Sequence, residues 1–78
     1  MKKYIEAMDE VYRRCLRHYH ALKNDGYNMP SYKARVMYDE MISAIMSVLA
    51  WDDISIDDYN AILEYRNDAS KKFYTETK

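Results

Sequence analysis

The chain has 78 residues, a length that fits one domain with a core small enough to benefit from a disulfide, a metal or oligomerisation. Its single cysteine excludes an intramolecular disulfide and is typical of a reducing compartment, so we expect a cytoplasmic protein that forms a homo-oligomer. A hydrophobic content of 49% with a net charge of -1 excludes a disordered chain, and one glycine and one proline leave little room for hairpins. The composition therefore predicts an all-α fold.

The start of the chain does not have the pattern of a signal peptide. Basic residues come first, but Glu6, Asp9 and Glu10 occupy the place of the apolar segment that a signal peptide needs. No apolar run elsewhere reaches the ~18 residues required to cross a bilayer. We therefore predict neither secretion nor contact with a membrane.

The first predicted helix covers residues 2–24. Its apolar side chains recur at alternating intervals of three and four residues, which is typical of an amphipathic helix with a coiled-coil-like seam (Ile5, Met8, Tyr12, Cys15, Tyr19 and Leu22). Acidic residues precede basic ones along it, so ion pairs one turn apart are expected (Asp9 with Arg13, Glu10 with Arg14). Gly26 supplies a left-handed residue that ends the helix, and residues 27–29 complete a short connection.

The second predicted helix, residues 31–50, is the one against which the others are expected to pack. Pro30 and Ser31 form a helix-start signal, in which the Ser31 hydroxyl would accept hydrogen bonds from free backbone N–H groups. At about 100° per residue, the apolar side chains cover about half of the circumference (Ala34, Met37, Tyr38, Met41, Ile42, Ile45, Met46, Val48 and Leu49). So broad an apolar face predicts contact with two neighbouring helices.

The third predicted helix, residues 56–74, begins after Ser55, with Asp58 three residues later as in a capping box. Arg66 interrupts its apolar face. Three helices of similar length with short connections predict a single helical domain over residues 1–78, arranged as a small up-down-up three-helix bundle. The structural alternative is a helical hairpin plus a third helix, completed by oligomerisation.

Candidate metal and catalytic residues are few, and each has an ordinary structural interpretation. His18 and His20 would point to different sides of a helix and make a poor metal pair. The acidic residues around Ser55 match part of a calcium-loop spacing, but Asp58 stands where that loop needs glycine. Cys15 lies in the middle of the helical seam, where a buried thiol is inert. We therefore expect no metal, no cofactor and no enzymatic activity.

The charged residues separate toward the two ends of the predicted bundle. In an up-down-up arrangement the end of the first helix, the start of the second and the end of the third meet at one end of the molecule, the basic pole. Of the 12 Lys and Arg residues, all but Lys2 and Lys3 belong to that half. Most acidic residues gather at the other end, the acidic pole.

The basic pole also carries tyrosines and the N-terminus of the second helix. Cations, aromatic rings and free N–H groups suit a ligand that carries phosphate. The predicted ligand-binding residues are Arg14, Arg17, Lys23, Tyr27, Tyr32, Lys33 and Arg66. The alternative is that the helices only complement their own dipoles with these charges.

Arg66 has two interpretations of its own. If the second and third helices are antiparallel about Asp53, Arg66 lies level with Glu40, and an ion pair with Glu40 or Asp39 is expected because a partly buried arginine needs a carboxylate. The functional interpretation is that Arg66 faces a cavity at the basic pole and binds an anion through its planar set of donors.

The sequence favours a non-enzymatic binding protein. Our first hypothesis is that it sequesters a nucleotide-like anionic small molecule at the basic pole, and the alternative is an inhibitor or adaptor that blocks a partner protein's surface, as anti-CRISPR proteins do. A small chain rich in Tyr and Met with no catalytic motif is typical of phage or mobile-element accessory proteins, among them counter-defence factors. Duplex nucleic acid is disfavoured as a partner because the net charge is -1.

Overall fold

The computed structural model describes residues 2–27 and 30–78, which form three α-helices: α1 (Lys2–Asn24), α2 (Ser31–Ala50) and α3 (Ile56–Glu76). These residues contain no strand, and all three helices contact one another, so the prediction of an all-α three-helix bundle is confirmed. The bundle is a rod of 45 × 18 × 17 Å. In the ranges described, no helix combines the length and the apolar character needed to cross a membrane. Asn28 and Met29 of the predicted connection lie outside those ranges.

The end of α1 follows the prediction. Gly26 has a φ of 87°, in the left-handed region that favours glycine. The N–H of Gly26 donates to the carbonyl of Lys23 at 3.1 Å, and the N–H of Tyr27 donates to the carbonyl of Leu22 at 2.9 Å. These two bonds are the pattern of a Schellman motif, so carbonyls that the helix leaves free at its end are satisfied by the chain that follows.

The start of α2 differs from the prediction. Pro30 is the residue before the helix (φ -64°, ψ 141°), Ser31 is already helical, and in the described part of the chain no side-chain cap bond is made at this end. The predicted capping role of Ser31 is therefore wrong. A capping serine needs the extended backbone that Pro30 holds here. The Ser31 hydroxyl instead lies 3.4 Å from the hydroxyl of Tyr19.

The start of α3 is capped as expected, and its end lies beyond the predicted one. The N–H of Asp58 donates to the Ser55 hydroxyl at 3.1 Å. The helix then continues to Glu76, two residues past the predicted boundary, because the following Thr77 is fully buried and its hydroxyl donates to the carbonyl of Phe73 at 2.8 Å. The last turn is thus fixed by packing that apolar periodicity does not reveal.

An aromatic cluster fills the middle of the core. The rings of Tyr38 and Phe73 stack at 4.3 Å between centroids, and the ring of Tyr12 meets both of them edge-on. All three side chains are buried, and each large buried side chain contributes roughly 1.5–3 kcal/mol to folding. Cys15 is buried beside this cluster with its Sγ 3.7 Å from Met41 Sδ, and burial raises the pKa of the thiol, as expected for an inert cysteine.

Candidate functional site

Three chain segments meet at the basic pole around the hydroxyl of Tyr19. This side chain is 2% exposed. Its hydroxyl accepts a hydrogen bond from Lys23 Nζ at 3.1 Å, lies 3.4 Å from Ser31 Oγ and donates to the carbonyl of Thr77 at 3.4 Å. The bonds from Ser31 and Lys23 lower the pKa of Tyr19. The predicted meeting of the end of α1, the start of α2 and the end of α3 therefore occurs.

Arg35 holds the end of α3 at the same pole. Its Nη2 donates to the carbonyl of Tyr74 at 2.8 Å, its Nε donates to Thr77 Oγ1 at 3.2 Å, and its guanidinium lies over the Tyr74 ring at 4.8 Å. The bonded groups belong to the last helical turn, where carbonyls lack intrahelical partners. Arg35 is thus committed to the fold, and its charge complements the negative end of the helix dipole.

Four of the seven predicted ligand-binding residues lie at the end of α1, in the connection that follows it or at the start of α2. Lys23 is held against Tyr19, with its Nζ also 5.1 Å from the centre of that ring. Tyr27 and Tyr32 are 65% and 63% exposed, and Lys33 is exposed as well. Within the described ranges, Lys33 has no carboxylate within 4.0 Å. These four side chains form an open surface.

Arg14 and Arg17 lie on the outer side of α1, turned away from the core. Arg14 Nε is 2.6 Å from Glu10 Oε1, the ion pair expected from the sequence, and this pair lowers the pKa of Glu10. The pair expected between Asp9 and Arg13 also forms, at 3.0 Å. Arg14 and Arg17 line one shallow, open depression, and all residues of this depression belong to α1. Basic side chains along one helix can attract an anion, but they do not enclose it in a cavity.

Arg66 is half-buried on α3 and stands apart from the other six. Its Nη1 donates to Asn67 Oδ1 at 3.4 Å, and its Nε is buried without a partner among the described residues. The expected ion pair with Glu40 or Asp39 does not form, because Asp39 accepts the hydroxyl of Tyr74 at 2.5 Å instead. That bond raises the pKa of Tyr74.

The offset of Arg66 has a physical reason. Tyr74 lies two turns, or about 12 Å, beyond Arg66, yet it is the residue that reaches Asp39. Pairing by residue number assumed that the two helices are symmetric about Asp53, the middle of their connection. The contacts of Asp39 with Tyr74 and of Arg35 with Thr77 are instead centred near residue 56, so the packing of the helices shifts their register.

At the acidic pole, one carboxylate is paired and others are not. Asp52 accepts the Tyr4 hydroxyl at 2.5 Å and lies 3.2 Å from Lys3 Nζ, which ties the start of α1 to the end of α2. These bonds lower the pKa of Asp52, the Tyr4 bond most of all. No cation in the described part of the chain lies within 4.0 Å of the remaining carboxylates around the α2–α3 connection, those of Asp53, Asp57 and Asp58.

Two large apolar residues are exposed beside these carboxylates. Trp51 is 93% exposed and Ile56 is 71% exposed, one on each side of the short connection between α2 and α3. We call Trp51, Asp53, Ile56, Asp57 and Asp58 the acidic tip. Sequence reasoning gave Trp51 no role, although the chain's single tryptophan, next to two aspartates in a connecting segment, is a signal that the sequence contains.

A second exposed apolar surface runs along α2. Its four residues recur at intervals of four, three and four and share one side of the helix; we call them the α2 stripe (Met37, Met41, Ala44 and Val48). Met41 and Ala44 are exposed, Met37 is half-buried and Val48 is 62% exposed. The sequence indicated an apolar arc broad enough for two neighbours. Both neighbouring helices, α1 and α3, contact α2, and the apolar arc of α2 is broader than the surface that these two helices cover.

Comparisons of this chain with protein-family models, with curated proteins and with solved structures find no match.

Proposed function

We propose that this chain is a non-enzymatic binding protein that covers a surface of a partner protein and contacts it through the acidic tip. The observation that carries the proposal is the exposure of Trp51, 93%, together with that of Ile56, the first residue of α3 after the same connection. Tryptophan is the residue type most enriched among those that dominate interface energy, and a folded chain gains nothing by holding it in water. The acidic tip therefore has the features of a protein-binding surface.

The charges around Trp51 define the partner's chemistry. Asp53, Asp57 and Asp58 are close in sequence to the apolar residues, and no cation among residues 2–27 and 30–78 lies within 4.0 Å of their carboxylates. A complementary surface would offer an apolar pocket with Lys and Arg at its rim, since opposite charges across an interface raise the association rate and exclude wrong partners. Such a surface is typical of proteins that bind nucleic acid.

This partner class fits the inhibitor role expected from the sequence. A small protein that presents carboxylates around an apolar anchor would block a basic groove by occupying it. In a phage or a mobile element, the blocked protein would be a defence factor of the host. That biological setting stays a prediction from the composition.

Photocrosslinking tests the proposal in the cell that encodes the chain. A photoreactive amino acid would replace Trp51 in one variant and His20, exposed and far along the rod, in a control. We expect one partner that is crosslinked from position 51 only and is basic around the contact. Calorimetry with that partner should then show a loss of about 2 kcal/mol or more for Trp51→Ala, as at other tryptophan hot spots.

A control variant and two contrary results complete this test. The exposed apolar residue Val36, on another side of α2, provides the matched control, and Val36→Ala should leave binding unchanged. Equal losses for Trp51→Ala and Val36→Ala, or unchanged binding after Asp53→Lys with Asp57→Lys, would remove the acidic tip from consideration.

Capture of a nucleotide at the basic pole is the second candidate. It is favoured by the two exposed tyrosine rings of Tyr27 and Tyr32 next to Lys33, a cation without a carboxylate neighbour in the ranges described. Calorimetry of the wild type against mono-, di- and cyclic nucleotides tests it directly. Heat that is lost in Lys33→Met would support it, and no heat from any nucleotide would eliminate it.

A further inference from the structure

The α2 stripe is unlike the rest of the apolar surface of α2. Ala34, Tyr38, Ile42 and Leu49 are buried in the core. The stripe lies beside them at the edge of the contact with α1: Met37 packs partly against the core and Met41 Sδ lies 3.7 Å from Cys15 Sγ, whereas Ala44 and Val48 are exposed. Its spacing of four, three and four residues is the a/d spacing of a coiled-coil seam. The stripe itself contains no residue of the acidic tip.

We propose that the α2 stripe joins two copies of this chain through an antiparallel pairing of their α2 helices. The stripe is self-complementary in this orientation. Centred between Ile42 and Ser43, the pairing places Met37 opposite Val48 of the second copy and Met41 opposite Ala44. Each contact then occurs twice, as a two-fold interface requires. Methionines facing small or branched residues fill the space between two helices without voids.

The neighbouring helix leaves room for this approach. On α1, Ala7 lies beside Val48 and Ile45 in a groove between α1 and α2. A small side chain there leaves Val48 exposed beside α1, and Ala44 at the middle of the stripe lets the two α2 backbones come close. Trp51 falls one turn beyond the last paired position, so the two acidic tips lie at opposite ends of the pair.

The charges select the antiparallel orientation. In the pairing above, Lys33 of one copy lies level with Asp52 and close to Asp53 of the other. Lys33 and Asp53 each lack an oppositely charged neighbour within 4.0 Å in the described part of the single chain. Two symmetric ion pairs would therefore form, and the basic pole of each copy would cover the acidic pole of the other. A parallel pairing would place like charges together.

Sedimentation and light scattering of two matched variants test the surface. Val48 and Val36 are both half-exposed or more and lie on different sides of α2. We expect the wild type to be a dimer at tens of micromolar, and Val48→Lys to raise the dissociation constant about tenfold or more, because each dimer then buries two added charges. Val36→Lys should leave it unchanged. If the Val48→Lys variant is less helical than the wild type, Ala44→Lys replaces it as the test variant of the stripe.

A charge exchange tests the orientation. Lys33→Asp and Asp53→Lys should each weaken the dimer, because each places like charges in both symmetric pairs, and the double variant should restore it. A wild type that stays monomeric at every concentration, a dimer that Val48→Lys leaves intact, or a double variant weaker than both single ones would overturn the proposal. Val48→Lys and Val36→Lys change no residue of the acidic tip, so these two variants distinguish failure here from failure of the proposed function.

Discussion

Tyrosine hydroxyls link the helices of this bundle, and they differ in what they bond. The Tyr12 hydroxyl leaves the aromatic cluster and donates to Glu76 at 2.7 Å, and burial together with that carboxylate raises the pKa of Tyr12 well above its usual range. The Tyr38 hydroxyl is buried without a hydrogen-bond partner among the described residues, and burial raises the pKa of Tyr38 to about 12, against a smaller lowering by nearby Ser70. The two hydroxyls therefore make opposite contributions to stability.

Removal of each hydroxyl should separate these contributions. We expect Tyr12→Phe to lower the free energy of unfolding by about 1 kcal/mol, the value of one hydrogen bond. Tyr38→Phe should leave it unchanged or raise it by up to about 1 kcal/mol, because an unpaired buried polar group is lost while the ring stays. Urea unfolding of the two variants and the wild type measures both. A loss in Tyr38→Phe equal to that in Tyr12→Phe would show that the Tyr38 hydroxyl is bonded in solution.

At the scale of the element, the end of α1 depends on one backbone conformation. Among the described residues a Cβ at Gly26 would meet nothing within 4 Å, so the cost of a side chain there is expected to come from its φ of 87°. We expect Gly26→Ala to lower the free energy of unfolding by about 1–2 kcal/mol, and Gly26→Asn by less, because asparagine tolerates this region better. Thermal unfolding followed by circular dichroism gives the order, and equal effects of both substitutions would argue for a steric cause.

The end of α3 depends on a side chain from another helix. Arg35→Met should remove the bonds to Tyr74 and Thr77 and keep most of the aliphatic stem, so the last turn of α3 should open at a cost of about 1–2 kcal/mol. Hydrogen exchange at the amides of Phe73 and Thr77 should then accelerate, while amides of α1 should change only with global stability. Lys71→Met, at an exposed cation of the same helix, is the control and should leave this exchange as it is.

At the scale of the whole molecule, the two ends are closed by different chemistry. The basic pole is closed by Tyr19, Arg35 and Thr77, whereas the acidic pole depends on the bond from Tyr4 to Asp52. The pKa of Asp52 lies below its ordinary value of 3.8 in the folded state. Its stabilisation is therefore complete at pH values above 3.8 and is lost as the pH falls through the lowered pKa.

The pH dependence of one variant checks this. Tyr4→Phe should be less stable than the wild type at neutral pH, and the difference should shrink as the pH falls below 3.8, because the wild type alone loses the bond. Chemical unfolding at a series of pH values from neutral to acidic measures the difference. A gap that stays constant over this range would assign the stabilisation to packing of the ring.

The sequence predicted what depends on local chemistry. Helix existence, the left-handed residue at Gly26 and the cap at Ser55 follow from periodicity and backbone preferences, and the structure confirms them. It did not predict the partner of Arg66, because the register of α3 on α2 is set by the packing of the two helices and not by residue number. The sequence also did not distinguish the residues of the α2 stripe from the core residues of α2. An apolar arc shows which side chains avoid water but not how many helices are present to cover them.

The exposure of Trp51 also determines how this protein appears in a spectrometer. It is the chain's single tryptophan, and its indole is in water when the protein is folded, while four of the nine tyrosines are buried. Unfolding will therefore change the wavelength of indole emission very little, so a fluorescence melting curve would have a small amplitude compared with the one that circular dichroism records. Conversely, a blue shift of that emission reports an event at the surface around Trp51 and not a change in the core.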